Sequence, residues 1–285
     1  MLMKSFSYTT RTGAKLQYEQ TGDENGPIVI CLHGLGGSTE SYQPLIPHIP
    51  AGYRVVLIDF PGHGKSSLST SKKPITVNGH VADVDDLITH VQGSSNNTTK
   101  GKVIVFGHSL GAAVAMHYAA RHPDNVAGLA IISGIQSASH IPAVRQRMLD
   151  LAVNTRENGI AFAADLAAKS NFPADEARFV ESTLRQKVFK IVAGSNTEGY
   201  AQTCEAIASL DHKDPDYSRI SAPTVLIAGD LDVISPVARS QALNELVGGK
   251  SWVEVVHSGH QPILEDTLTV VVAVRKLLDA VRDAK

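Results

Sequence analysis

Cysteine, tryptophan and charge of one sign are all scarce in this chain of 285 residues. It has two cysteines, one tryptophan and a formal net charge of −2, from 26 basic and 28 acidic side chains. Cys31 and Cys204 allow at most one bridge, and Cys31 sits inside an apolar run. A disulfide scaffold is therefore excluded, and a reducing compartment, the cytoplasm, is expected. The balanced charge excludes the basic footprint of a nucleic-acid binder. No apolar run reaches the ~18 residues of a membrane span, so no membrane is expected as partner. The opening Met-Leu-Met-Lys-Ser-Phe lacks the charged and apolar regions of a secretory signal. The overlapping sequons at Asn96 and Asn97, in a Ser/Asn/Thr-rich stretch, accordingly read as a solvated loop without glycan. Metal-ligand spacing is also missing: His257-x-x-His260 and the pair His117 and His122 lack a third ligand. Neither metal nor cofactor is expected.

What the chain does have is apolar material in short blocks. Hydrophobic residues make up 43% of it, and a chain of about 300 residues buries about 75% of its unfolded surface, enough for a core without staples. The length suits one large domain or one domain carrying an insertion. Apolar runs at 28–32, 55–58, 103–106, 127–132, 224–228 and 252–256 are bounded by turn residues and rich in β-branched types. Continuous rather than alternating runs predict strands buried on both faces of a mostly parallel sheet. Helical patterns at 76–91, 110–121, 236–246 and 264–282 lie between them. In the last, Leu268, Val271, Val272, Leu277 and Leu278 keep a helical rhythm. Two alternating segments near 5–10 and 15–20 predict an antiparallel edge hairpin. This is an α/β fold with ligands expected at the carboxyl ends of its strands. The interval 135–213 breaks the rhythm with helical patterns at 142–153, 159–168, 173–188 and 197–210, and Pro142 and Pro173 stand where prolines open helices. It reads as a helical cap inserted into a core made of 1–134 and 214–285.

The stretch 103–111, Val-Ile-Val-Phe-Gly-His-Ser-Leu-Gly, is the most informative. It places Gly-x-Ser-x-Gly directly after a strand and before a helix, so the turn strains the serine backbone and leaves its hydroxyl at a helix N-terminus. Glycines two residues to either side avoid collisions with the neighbouring strand and helix. Ser109 is a poor nucleophile unless a base held by a third group takes its proton. Downstream, the strand at 224–228 runs into two carboxylates, Asp230 and Asp232. His260 follows in Ser-Gly-His just past the last strand, on a loop at the same sheet edge. His257 lies at that strand's end and reads as structural or rim. Attack by serine on an acyl carbon creates an oxyanion, and each backbone N–H aimed at it contributes about 3–4 kcal/mol. One donor is expected from Leu110, the other from Leu35 in the loop His33-Gly34-Leu35-Gly36. His33 itself reads as fixing that loop.

Asp59-Phe-Pro-Gly-His-Gly64-Lys-Ser66 ends like a phosphate loop, but the glycine required five positions before Gly64 is Asp59, a carboxylate that would repel phosphate. A structural turn is expected, with Gly62 and Gly64 in unusual dihedrals and Asp59 bonding the loop's amides.

Together, His33-Gly34-Leu35-Gly36, Asp59-x-x-Gly62-x-Gly64-x-Ser66, Gly107-x-Ser109-x-Gly111, Gly229-x-x-Asp232 and Gly259-His260 resemble the α/β-hydrolase superfamily. The resemblance covers the chain apart from the cap. It implies an α/β-hydrolase fold, a mostly parallel central sheet flanked by helices with an inserted helical cap. It implies catalytic Ser109, Asp232 and His260, with Leu35 and Leu110 as the oxyanion hole. Asp232 is favoured over Asp230 because it stands three residues after Gly229 and four before Pro236. A serine elbow argues against the dehalogenase and epoxide-hydrolase branches, which carry aspartate there. The segment 199–207, Gly-Tyr-Ala-Gln-Thr-Cys-Glu-Ala-Ile, is similar to a cap segment of 3-oxoadipate enol-lactonases, although the tryptophan those often carry early in the cap is missing and the only one is Trp252. Arg145 or Arg147 would be the cation for an acidic lactone. The implied function is a serine hydrolase of lactones or carboxylic esters with a small-molecule substrate and a homodimer left open. A carbon–carbon bond hydrolase of vinylogous diketones, or a ligand sensor retaining the triad, are the competing readings.

Overall fold

The apolar runs at 28–32, 55–58, 103–106 and 224–228 become strands with no solvent-facing side. The run at 252–256, expected to be buried on both faces, instead forms an edge strand that is half-buried and exposes Val255, because its outer side is the edge of the sheet. The computed structural model describes residues 3–68, 73–93 and 101–283; the stretch holding Asn96 and Asn97 lies outside them. In chain order the elements are β1 (Lys4–Thr9), β2 (Lys15–Gly22), β3 (Ile28–Leu32), β4 (Arg54–Asp59), α1 (Val77–Gly93), β5 (Val103–His108), α2 (Leu110–Arg121), β6 (Val126–Ile132), α3 (Pro142–Asn158), α4 (Ile160–Ser170), α5 (Ser182–Ala193), α6 (Thr197–Ala208), β7 (Thr224–Gly229), α7 (Val237–Leu246), β8 (Ser251–Val256), α8 (Pro262–Glu265) and α9 (Thr267–Asp283). Every residue of β3, β4, β5 and β7 is buried, as a parallel sheet covered on both faces requires.

The eight strands form one sheet in the order β1-β2-β4-β3-β5-β6-β7-β8. β1 pairs with β2 and β2 with β4 antiparallel, which is the expected edge hairpin, and all other pairs are parallel. The pleat sends alternate side chains to opposite faces. Ile28, Ile30 and Leu32 meet α1 and α2, whereas Val29 and Cys31 meet α9. The direction in which successive strands are added reverses at β3, which lies between β4 and β5, and ligands of open α/β sheets bind outside the strand ends at such a switch. The carboxyl ends of β3, β5, β7 and β8 therefore share one edge. They carry His33, Ser109, Asp232 and His260.

The segment between β6 and β7 holds four helices, α3 to α6, with an apolar cluster of their own that includes Ala163, Val188, Val192, Tyr200 and Cys204. Two further sequence expectations fail in this half of the chain. Pro173 does not open a helix: 171–181 stays irregular and α5 begins at Ser182. Its carbonyl instead accepts the Arg185 guanidinium, at 3.0 Å, and its ring lies against the Gly259 turn. The terminal helix is also broken, at Asp266 between α8 and α9, and its phase differs from the expected one. Val270, Val271, Val274, Leu277 and Leu278 face the sheet, while Leu268 and Val272 are exposed. Both cysteines are buried and free. Among the described residues no helix is long and apolar enough to cross a membrane.

Candidate active site

The turn from β5 into α2 forces Ser109 to φ 52°, ψ −113°, a conformation that non-glycine residues adopt at a cost of about 1–3 kcal/mol. Its neighbours show why only glycine fits beside it. A Cβ at Gly107 would stand 2.4 Å from the Gly111 carbonyl oxygen, and one at Gly111 would stand 2.1 Å from that of Leu32. The Ser109 amide donates to the Ile132 carbonyl at 3.0 Å, tying the turn to β6.

The loop after β8 brings His260 to this turn. Its Nε2 lies 2.9 Å from Ser109 Oγ and its Nδ1 lies 2.8 Å from Asp232 Oδ2. The other Asp232 oxygen accepts the amides of Ile234 and Ser235, each at 2.8 Å. Burial alone would raise the Asp232 carboxyl pKa, but the His260 imidazole and these hydrogen bonds hold it below the ordinary carboxylate value. An ionised carboxylate only accepts, so Nδ1 of His260 carries the proton and Nε2 faces the serine as acceptor. Ser109 is 9% exposed, His260 5% and Asp232 4%. The three side chains thus form one hydrogen-bonded line out of bulk water.

Asp230, the competing carboxylate, is occupied elsewhere. It receives both terminal nitrogens of Arg178, at 3.0 and 2.7 Å, and the Ser258 amide, and its Oδ2 stands 3.2 Å from His257 Nδ1. The hydrogen bond from the Arg178 guanidinium and its charge keep this carboxyl below the ordinary value. His257 is exposed at the rim. The expected cations do not converge on Ser109 either: Arg145 Nε donates to the Ala208 carbonyl at the end of α6, 2.8 Å away, and Arg147 is exposed.

Leu110 is the first residue of α2, where a helix leaves its amides without intrahelical partners. Leu35 follows Gly34, which sits so close to the elbow that an added Cβ would stand 3.1 Å from Ser109 Cβ. Its side chain packs between the main core and the cluster of the inserted helices. His33 fixes this loop: Nε2 accepts the Phe60 amide at 2.9 Å, so Nδ1 is the donor to the Gly34 carbonyl at 2.7 Å. The turn after β4 is built as expected, with Gly62 at φ 77° and Gly64 at φ 51°. Asp59 accepts the amides of Thr39 and Lys65 at 2.7 and 2.8 Å. Among the described residues no three His, Cys, Asp or Glu side chains are grouped as metal ligands.

Three contributors carry no sequence signal. Tyr42 donates its hydroxyl to the carbonyls of Leu32 and Phe106, at 2.9 and 3.2 Å, bracing the ends of β3 and β5. His108 Nε2 lies 2.8 Å from the His260 carbonyl oxygen. The Asn171 carbonyl, from the segment between α4 and α5, accepts the His260 amide at 2.8 Å.

A family model for the alpha/beta hydrolase fold matches residues 27–267. Two curated relatives are the 3-oxoadipate enol-lactonases 1 and 2 of Acinetobacter baylyi. The first is 24% identical over 263 residues, covering 92% of both chains, and the second is 28% identical over 253 residues, covering 88% of both. Among solved structures, an esterase from Thermogutta terrifontis superposes with a TM-score of 0.84 over 98% of this chain and 99% of its own, at 23% identity, a likeness that speaks to fold alone.

Proposed function

This chain belongs to the alpha/beta hydrolase fold family, and we propose that it is a serine hydrolase cleaving a lactone or carboxylic ester through an acyl-enzyme. The observation that carries the reading is the line Ser109 Oγ, His260 Nε2, His260 Nδ1, Asp232 Oδ2, with both steps under 3 Å. The whole-length relatives named as enol-lactonases support the lactone or ester class.

Ser109 Oγ attacks the carbonyl carbon while His260 Nε2 takes its proton, and Asp232 stabilises the imidazolium. The carbonyl oxygen gains the charge and is held by the amides of Leu35 and Leu110, the first from the Gly34 loop and the second at the N-terminus of α2. His260 then gives its proton to the departing alcohol or enol oxygen. It next removes a proton from water, whose oxygen attacks the acyl carbon and returns Ser109. The helices of 135–213 act as a cap whose apolar face selects the acyl group and excludes water.

Incubation with a fluorophosphonate followed by mass spectrometry tests the nucleophile, with the adduct expected on Ser109. A panel of lactones, aryl esters and a β-diketone tests the bond cleaved. Ester or lactone turnover that vanishes in Ser109→Ala is the expected result. Turnover surviving in that variant, or confined to the diketone, overturns the reading.

A further inference from the structure

His108 occupies the variable position before the elbow serine, as the last residue of β5. Its side chain is 94% buried, and Nε2 lies 2.8 Å from the His260 carbonyl oxygen. A carbonyl oxygen only accepts, so Nε2 is the protonated nitrogen. Burial pushes this imidazole down to about 4, which keeps it neutral with a single N–H. The opposite edge of the ring lies against the loop that carries Leu35, where a Cβ at Gly34 would stand 3.1 Å from Nδ1. One ring therefore fills the space between the elbow, the His260 loop and the Gly34 loop.

The peptide groups of His260 are thereby bonded at both ends. Its N–H donates to the Asn171 carbonyl at 2.8 Å, and its C=O accepts from His108. Without these two bonds the loop between β8 and α8 could shift within the crevice and carry the imidazole with it. The line to Ser109 tolerates no such drift, because a misplacement of about 1 Å costs on the order of 10²-fold in rate.

We propose that His108 is a positioning residue, whose N–H to the His260 carbonyl sets the imidazole's register on Ser109. The proposal rests on the serine-hydrolase reading above. His108→Phe keeps a planar aromatic ring, somewhat larger than the imidazole, and removes the donor, whereas His108→Gln carries an amide N–H to about the place of Nε2. The expected result is a kcat lowered about 10–100-fold in His108→Phe, with KM within about threefold. The rate of Ser109 labelling by a neutral organophosphate falls in parallel, and His108→Gln recovers most of the loss.

A merely structural role predicts instead that both variants lose activity in step with their melting temperature, and that outcome overturns the proposal. So does a His108→Phe enzyme with parental kcat. Should His108→Phe not fold, His108→Asn replaces it, because its shorter side chain draws the donor away from the carbonyl. At equal melting temperature it is expected to be slower than His108→Gln, and equal rates overturn the proposal. Failure of the underlying reading is separate: it shows as a parent protein that is not labelled on Ser109.

Discussion

Asp232 commits one oxygen to its own loop and the other to His260, so the carboxylate holds the imidazole without freedom to swing. In Asp232→Asn the amide oxygen stays on the Ile234 and Ser235 N–H groups, so the NH₂ faces Nδ1 as a donor and reverses the imidazole tautomer. A fall in kcat of about 10³–10⁴-fold with an unchanged fold is expected from steady-state kinetics and circular dichroism. Ser109→Ala is expected to lower kcat by about 10⁴-fold or more. Its melting temperature should hold or rise, because alanine relieves neither φ nor ψ but buries no hydroxyl. That these side chains meet was legible because a hydroxyl, an imidazole and a carboxylate each follow a strand that ends at the same sheet edge. The choice between Asp230 and Asp232 rested on the resemblance's spacing to Gly229 and Pro236, since position at the strand end alone offers both carboxylates. What separates them in space is Arg178, which reaches in from the irregular segment between α4 and α5 to hold Asp230. His108 and Asn171 were illegible for a further reason. One sits at a position the motif leaves variable, and the other acts through its main chain.

At the scale of elements, the seam between the inserted helices and the sheet is set by two glycines. A Cβ on Gly62 would stand 2.7 Å from Gly199 Cα, and one on Gly199 equally close to Gly62 Cα. The Asn196 amide donates to the Gly62 carbonyl at 2.9 Å beside this contact. Gly199→Ala must push α6 away from the turn after β4, a form of overpacking that typically costs about 1–3 kcal/mol. Denaturant unfolding should show that loss even though alanine is the better helix former. Strands and helices of the core were legible from periodicity, whereas boundaries around Pro173 and Asp266 were not. A proline signal states only that a helix is allowed to begin, and the Arg185 guanidinium and the Gly259 turn drew Pro173 into another task. In α9 a run of β-branched and leucine residues fits more than one phase, and packing on the sheet selected Val270 and Val274 over Leu268 and Val272. Val272→Lys should accordingly change stability by no more than about 0.5 kcal/mol in denaturant titration.

The whole molecule keeps several histidines where water does not reach. His33, His63, His80 and His108 are 6% exposed or less. Burial pushes His63 down to about 4, His80 to about 3, and His33 well below its ordinary value. An unfolded chain binds protons on these side chains near pH 6.5, but the folded one binds them only around pH 4 or lower. Between those limits the unfolded state is the more protonated, so stability falls as pH falls, by up to about 1.4 kcal/mol per pH unit for each such histidine. Melting temperatures followed from pH 7 to pH 5 should decline, with full stability present only above the unfolded value. His80→Phe, which replaces a ring 4.5 Å from Phe60 whose Nε2 meets no hydrogen-bond partner among the described residues, should flatten that decline by about one proton's share.

The bond from His260 to residue 171 uses a main-chain oxygen, which every amino acid possesses. Replacement of the Asn171 side chain by alanine scanning would leave that acceptor untouched, and sequence drift at the position is invisible to it. Chemical synthesis that weakens the 171–172 peptide oxygen by an ester linkage is the perturbation that reaches this brace between the inserted helices and the imidazole.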